Sequence, residues 1–206
     1  MLTIVIVPVG ATEFSQKGEL LGINNPPLGQ AGMARAEEMA DALRGTILEA
    51  VFSGPLKRQI VTARRIAEPH QLPIRTDKNL IDVNYGSWSG RSWSEISQED
   101  GQLMDKMKRS PHRFRFPSGE KMKKSWKRYQ AFTRHLLGNY GAGHVVIVAD
   151  GFVAMMLTSL ITGTDFISLE PWENSGSGIT KIDRDEGRNL ITMLKGTKRP
   201  ATPPTK

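Results

Sequence analysis

The sequence predicts an α/β fold, a three-layer α/β/α sandwich around a mostly parallel central sheet. Two observations lead there. Short, largely apolar runs at Leu2–Val7, Glu49–Phe52 and His144–Ala149 read as strands buried on both faces. Segments with apolar residues at helical spacing alternate with them, and that alternation is the pattern of a parallel sheet covered on both sides. A chain of 206 residues can build one well-formed core. We therefore expect a single domain over residues 1–195, with a basic insertion at about 105–128 and a basic, disordered tail at 196–206.

The first strand, Leu2–Val7, stops at Pro8 and turns through Gly10, so Pro8 to Thr12 should floor any site at its carboxyl end. A polar, Gly/Asn/Pro-bearing loop follows over Glu13–Leu28. Met33, Ala36, Met39, Ala40 and Leu43 mark a helix over Gln30–Leu43, with Gly45 as its stop. After the strand Glu49–Phe52, Ser53-Gly54-Pro55 turns into a helix from Leu56 to Ala67, ended by Pro69. Leu72–Thr76 is extended, and Asn79–Val83 leads to the turn Tyr85–Gly90. Ser92–Lys108 is read as one helix, with Ser92 and Glu95 as a capping box. Ser110–Gly119 is an irregular basic loop and Glu120–Tyr140 a long basic helix. The strand His144–Ala149 runs through Asp150-Gly151 into an apolar helix to Ile161. Ile179–Ile182 and Asn189–Leu194 flank a turn as a terminal hairpin.

Composition narrows the function classes. An apolar fraction of 38% with 24% charged residues is that of an ordinary globular protein. The absence of Cys excludes disulfides, thiolate-bound zinc and thiol catalysis. The apolar start lacks a basic flank and is too short for a signal peptide or a membrane span, so a cytoplasmic protein without a membrane partner is expected. The net charge of +7 is uneven: Lys106 to Arg128 holds ten Lys or Arg and one acid, Glu120, and the last twelve residues hold four more cations and no acid. Taking those fourteen from the total of 28 leaves 14 basic residues against 20 acids, so the body is mildly acidic.

Six motifs in register give the chain a family resemblance. Ile6-Val7-Pro8-Val9-Gly10-Ala11-Thr12 matches a strand ending in Leu-Val-Arg-His-Gly-Glu-Thr. Ser53-Gly54-Pro55-Leu56-Lys57-Arg58 with Thr62-Ala63 matches Ser-Ser-Pro-Leu-x-Arg with Thr-Ala. Leu80 to Gly90 matches Leu-x-Glu-x-x-x-Gly-x-Trp-x-Gly, and Ser118-Gly119-Glu120-Lys121 resembles Gly-Gly-Glu-Ser. Val148-Ala149-Asp150-Gly151 stands where a strand runs into Ser-His-Gly, and Asn174-Ser175-Gly176-Ser177 matches an Asn-Gly/Ser element before the last strands. Together they resemble the histidine phosphatase superfamily, the phosphoglycerate mutase-like proteins.

What the resemblance implies about chemistry can be checked position by position. The family's nucleophilic His falls on Val9, which has no lone pair, and the Arg beside it falls on Pro8, which has neither charge nor donor. The second His falls on Asp150, the Glu of the first motif on Ala11, and the general acid on Asp82, one methylene shorter than Glu. Of the central set only Arg58 is unchanged. Phosphoryl transfer relies on positive charge around the transferring oxygens. An acid about 4 Å from Arg58 is worth roughly 4 kcal/mol at an effective dielectric near 20, so Asp150 is expected to pair with Arg58 rather than admit a phosphate.

No other residue is an evident substitute. His70, His112, His135 and His144 read as surface or capping residues, and an aspartyl nucleophile at Asp150 or a metal held by Asp82 and Asp150 lacks supporting groups. The expectation is a pseudoenzyme with a binding, regulatory or scaffolding role, needing no metal or cofactor, whose partner is a protein or an anionic small molecule. Arg58, Thr12, Asn174, Lys123, Lys124 and Lys127 are its candidate ligand-binding residues. In the family the basic segment is an insertion over the pocket mouth. Its ten cations, interleaved with Phe114, Phe116, Trp126 and Tyr129, suit an anionic polymer or an acidic protein face. Two alternatives stand beside this reading. One is an enzyme with altered phosphoryl chemistry using Arg58, Asp82 and Asp150; the other is a nucleic-acid or polyanion-binding module. A homodimer is compatible with each.

Overall fold

The structure, a computed structural model, describes residues 1–164, 178–185 and 188–194. Its centre is a six-stranded sheet of β1 (Leu2–Pro8), β2 (Leu48–Ser53), β3 (Ile74–Thr76), β4 (Gly143–Ala149), β5 (Ile179–Asp185) and β6 (Arg188–Leu194), ordered β3-β2-β4-β1-β5-β6. β3, β2, β4 and β1 pair in parallel, and β5 is antiparallel to both of its neighbours. The sheet is therefore mostly parallel, and the expected terminal hairpin is β5–β6.

Every residue of β1 is buried, and its side chains divide by the two-residue period of a strand. Leu2, Ile4 and Ile6 join one core cluster, with Phe132 and Leu136 of α6 (Met122–Asn139) and Val153, Met156 and Leu157 of α7 (Gly151–Thr162). Val5 and Val7 join the other, with Met39, Ala40 and Leu43 of α2 (Gln30–Leu43) and Ala63 and Ile66 of α3 (Lys57–Ala67). A strand that is apolar on both faces thus has a helical layer on each. Among the described residues no helix is long and apolar enough to cross a membrane.

Pro8 is tolerated at the end of β1 for a local reason. The Val9 N–H donates to the Ala149 carbonyl over 3.2 Å, so strand alternation turns the Pro8 nitrogen the opposite way, toward β5. The described pairing of β5 with β1 ends at Ile6 and Thr180, so the missing donor falls beyond it.

Three stretches differ from the expected elements. The loop at 13–28 contains a short helix, α1 (Glu13–Gln16), capped by Thr12. The expected single helix at 92–108 is two, α4 (Trp93–Glu99) and α5 (Gly101–Arg109). The break is at Asp100, whose carboxylate accepts from the Trp88 indole at 2.9 Å and the Arg91 guanidinium at 3.0 Å. The Ser92–Glu95 capping box forms as expected. Within 110–119, Phe114 and Phe116 are buried while Arg113 and Arg115 are exposed, a strand-like alternation closed by a bridge between Arg115 and Lys121. The element at Asn174 and the tail at 196–206 lie outside the described residues.

Candidate functional site

The carboxyl ends of β1, β2 and β4 lie side by side, with Pro8 opposite Ala149 and Ser53 opposite Val148. Each strand hands its chain to the same edge of the sheet, the usual place for a ligand crevice. Arg58 arrives there on the first turn of α3, Asp150 at the N-cap position of α7, and Asp82 on the loop after Leu80.

Arg58 is fully buried, and its guanidinium is spent within the chain. Nε donates to Asp150 Oδ1 over 2.6 Å, and one Nη donates to the Asn24 carbonyl over 2.6 Å. The other Nη donates to the Gly22 carbonyl over 2.7 Å and to Asp82 Oδ2 over 3.2 Å. Asp150 does not cap α7; its second oxygen accepts from the Gln59 amide at 2.8 Å. The expected Arg58–Asp150 contact is present, and Asp82 joins it.

The electrostatics follow from burial. Desolvation works against the charge on Arg58, but Asp150 and then Asp82 overcome it and hold the guanidinium above its ordinary value. Asp82 goes the other way: burial, then the neighbouring Asp150, push its carboxyl up to about 8 against the pull of Arg58. Burial beside a second acid therefore favours the protonated form of Asp82 to higher pH than an exposed carboxyl would keep it.

The loop over Arg58 needs a glycine at its bend. Gly22 has φ +56°, and a Cβ there would lie 2.4 Å from the Val83 carbonyl. Three residues on, Asn25 Oδ1 accepts from the Lys57 N–H over 2.7 Å, so the chain's own side chain occupies the amino end of α3. The floor is equally tight. A Cβ on Gly32 would lie 1.9 Å from the Ala11 carbonyl, because the first turn of α2 presses on the loop after β1. The Gly10 N–H is taken by the Thr62 hydroxyl at 3.1 Å, which itself donates to the Arg58 carbonyl at 2.8 Å.

The candidate residues divide accordingly. Arg58, Asp82 and Asp150 come together, with Pro8 and Val9 at the end of the adjacent strand. Thr12 is buried and caps α1, receiving the Ser15 N–H at 3.1 Å. Lys123, Lys124 and Lys127 are exposed on α6, away from this cluster in sequence and element. Asn174 lies outside the described residues. The acids that could have held a metal face Arg58, which stands where a cation would. His144 begins β4 and His70 follows α3, each at the opposite end of its element from the site; His112 and His135 are exposed.

Sequence reasoning passed over Gln59 and the Gly22 and Asn24 carbonyls, and counted Arg128 only among the cations of the basic segment. The signals were faint: Gln59 only follows the Arg of the second motif in a buried helix start, and Asn24-Asn25-Pro26-Pro27 reads as a generic turn. Arg128 forms a two-pronged pair with Glu120 and donates to the Asp82 carbonyl at 3.2 Å, tying α6 to the Asp82 loop.

Comparison with known proteins agrees with this architecture. The family model of the histidine phosphatase superfamily (branch 1) matches residues 4–196. Phosphoserine phosphatase 1 of Hydrogenobacter thermophilus is 24% identical over 197 residues, covering 96% of this chain and 93% of that protein. A probable phosphoglycerate mutase of Yersinia pestis is 26% identical over 163 residues, 79% of this chain and 76% of the other. Among solved structures, YhfR of Bacillus stearothermophilus superposes with a TM-score of 0.80 at 22% identity, covering 97% of this chain and 99% of its own.

Proposed function

The chain belongs to the histidine phosphatase superfamily, and we propose that it is a non-catalytic member, a pseudoenzyme acting by binding in a regulatory or scaffolding role. The observation that carries this reading is the closure of Arg58 by Asp150, Asp82 and two loop carbonyls. A phosphate dianion would have to displace Asp150 from Nε and then lie beside that carboxylate, with no second Arg at Pro8 to offset the repulsion. Val9 offers no electron pair for a phosphoenzyme. The hydroxyls of Thr12, Ser53 and Thr62 are each engaged with backbone. Binding then falls to surface groups, and the segment 106–128 supplies a face for an anionic ligand or an acidic partner.

One observation favours the rival reading, an enzyme with altered chemistry. Asp82 holds its proton near neutrality, as a general acid must. An acid without an adjacent nucleophile does not transfer a phosphoryl group, so we rank this reading second. Incubation with p-nitrophenyl phosphate and with O-phosphoserine, the substrate class named for the H. thermophilus relative, separates the two. No turnover above buffer is expected. Turnover that disappears in Arg58→Ala or Asp150→Ala would overturn the proposal.

A further inference from the structure

The basic segment carries its cations outward along α5, the turn that follows and α6, with exposed Asp105 on α5 as the acid beside them. α5 buries Met104 and Met107 and leaves Lys106, Lys108 and Arg109 exposed. The alternation at 113–116 turns Arg113 and Arg115 outward. α6 buries Met122, Ser125 and Tyr129, which leaves Lys123, Lys124 and Lys127 on its outer side, beside exposed Lys121. The His112 ring meets the Trp126 ring edge-on at 4.7 Å and fixes the turn at 111–113 against α6. Nine of the segment's ten cations are thus exposed, and among the described residues none of the nine has an acidic partner. The tenth, Arg128, is the one paired with Glu120. A merely solvated surface usually intersperses both signs.

From this we infer that the face formed by α5, the 110–121 turn and the first turns of α6 docks an Asp/Glu-rich polypeptide segment of a partner protein. The inference rests on the reading that the chain acts by binding. Three features select a polypeptide among polyanions. Phe114, Phe116 and Tyr129 are buried in the core, and Trp126 is partly buried against His112, so there is no row of ring faces on which unpaired bases could stack. No large apolar side chain within 106–128 is exposed, which leaves nothing to insert into a bilayer. The cations are six Lys to three Arg, on elements whose other side is core rather than on a helix free to enter a groove. Lys123 and Lys127 stand about 6 Å apart along the helix axis, within reach of successive carboxylates of an acidic segment.

The test measures binding of the full chain to a fluorescein-labelled peptide of alternating Asp and Glu, beside a single-stranded RNA oligonucleotide, a DNA duplex and phosphatidylserine vesicles. The peptide is expected to bind most tightly, and less so as salt is added. Lys123→Glu with Lys124→Glu and Lys127→Glu should weaken it at least about tenfold, and Arg109→Glu with Arg113→Glu and Arg115→Glu should do likewise. Reversal of the exposed Lys17, Lys57 and Arg64, an equal change in net charge elsewhere, should leave it within about twofold. Absence of peptide binding, equal loss in the remote triple variant, or tighter binding of nucleic acid or vesicles would overturn the inference. Phosphatase turnover by the same protein would instead refute the pseudoenzyme reading while leaving this result intact.

Discussion

Nε of Arg58 donates to Oδ1 of Asp150 over 2.6 Å, joining the first turn of α3 to the start of α7 across the carboxyl edge of the sheet. Because the guanidinium is fully buried, removing either partner leaves the other without its counter-charge in a desolvated setting.

Arg58→Ala is expected to destabilise the fold by about 3–5 kcal/mol, since it leaves Asp150 buried beside Asp82 without a cation. Urea unfolding measures it. Combining Arg58→Met with Asp150→Asn should recover part of the loss, because the second change removes the stranded charge. A double variant as unstable as the sum of its parts would show that the pair is not coupled.

Asp82 should impose a pH dependence on stability. Its carboxyl is raised in the folded chain to about 8, so between its ordinary value and about 8 the folded state holds a proton that the unfolded state has released. Stability is therefore greatest at the acidic end of that window and falls as pH rises, by at most about 1.4 kcal/mol per unit from this group. In Asp82→Asn the slope of unfolding free energy between pH 5 and 8 should flatten by about that amount. An unchanged slope would mean that Asp82 is ionised throughout.

Restoring the family's groups tests whether the pocket is closed by chemistry alone. Pro8→Arg, Val9→His and Asp150→His together remove the acid on Arg58 Nε and add a second guanidinium, so inorganic phosphate should bind to the triple variant and not to the parent. Calorimetric titration reads this directly. Equal binding by both proteins would show that Arg58 already accepts an anion.

The floor of the site should tolerate no added methyl group. Gly32→Ala places a carbon against the Ala11 carbonyl, so backbone must move, at a cost of about 1–3 kcal/mol. Thermal unfolding should show a clear drop in midpoint. Gly138→Ala, where a Cβ meets nothing within 4 Å, should not lower it.

How legible the molecule was depended on the range of the forces involved. The bounds of α2 follow from Met33 to Leu43 because an amphipathic helix repeats its signal every turn. The break at Asp100 left no such trace, since it comes with contacts from Trp88 and Arg91 outside the helix. The same limit applies to the aromatics of the basic segment. Spacing alone presented Phe114, Phe116 and Tyr129 as surface partners of the cations, whereas all three complete the core.

By itself, then, the sequence determined the fold and that Val9 has no electron pair to donate, because strand and helix periods and side-chain identity are local properties. It could also place Arg58, Asp82 and Asp150 at one edge by resemblance. Only the tertiary structure decided that Arg58 is sealed by both acids and two loop carbonyls, that burial raises the Asp82 carboxyl, and which way each residue of 106–128 faces. Those outcomes depend on burial and on the meeting of loops from residues 22, 58, 82 and 150, and no period along the chain encodes that meeting.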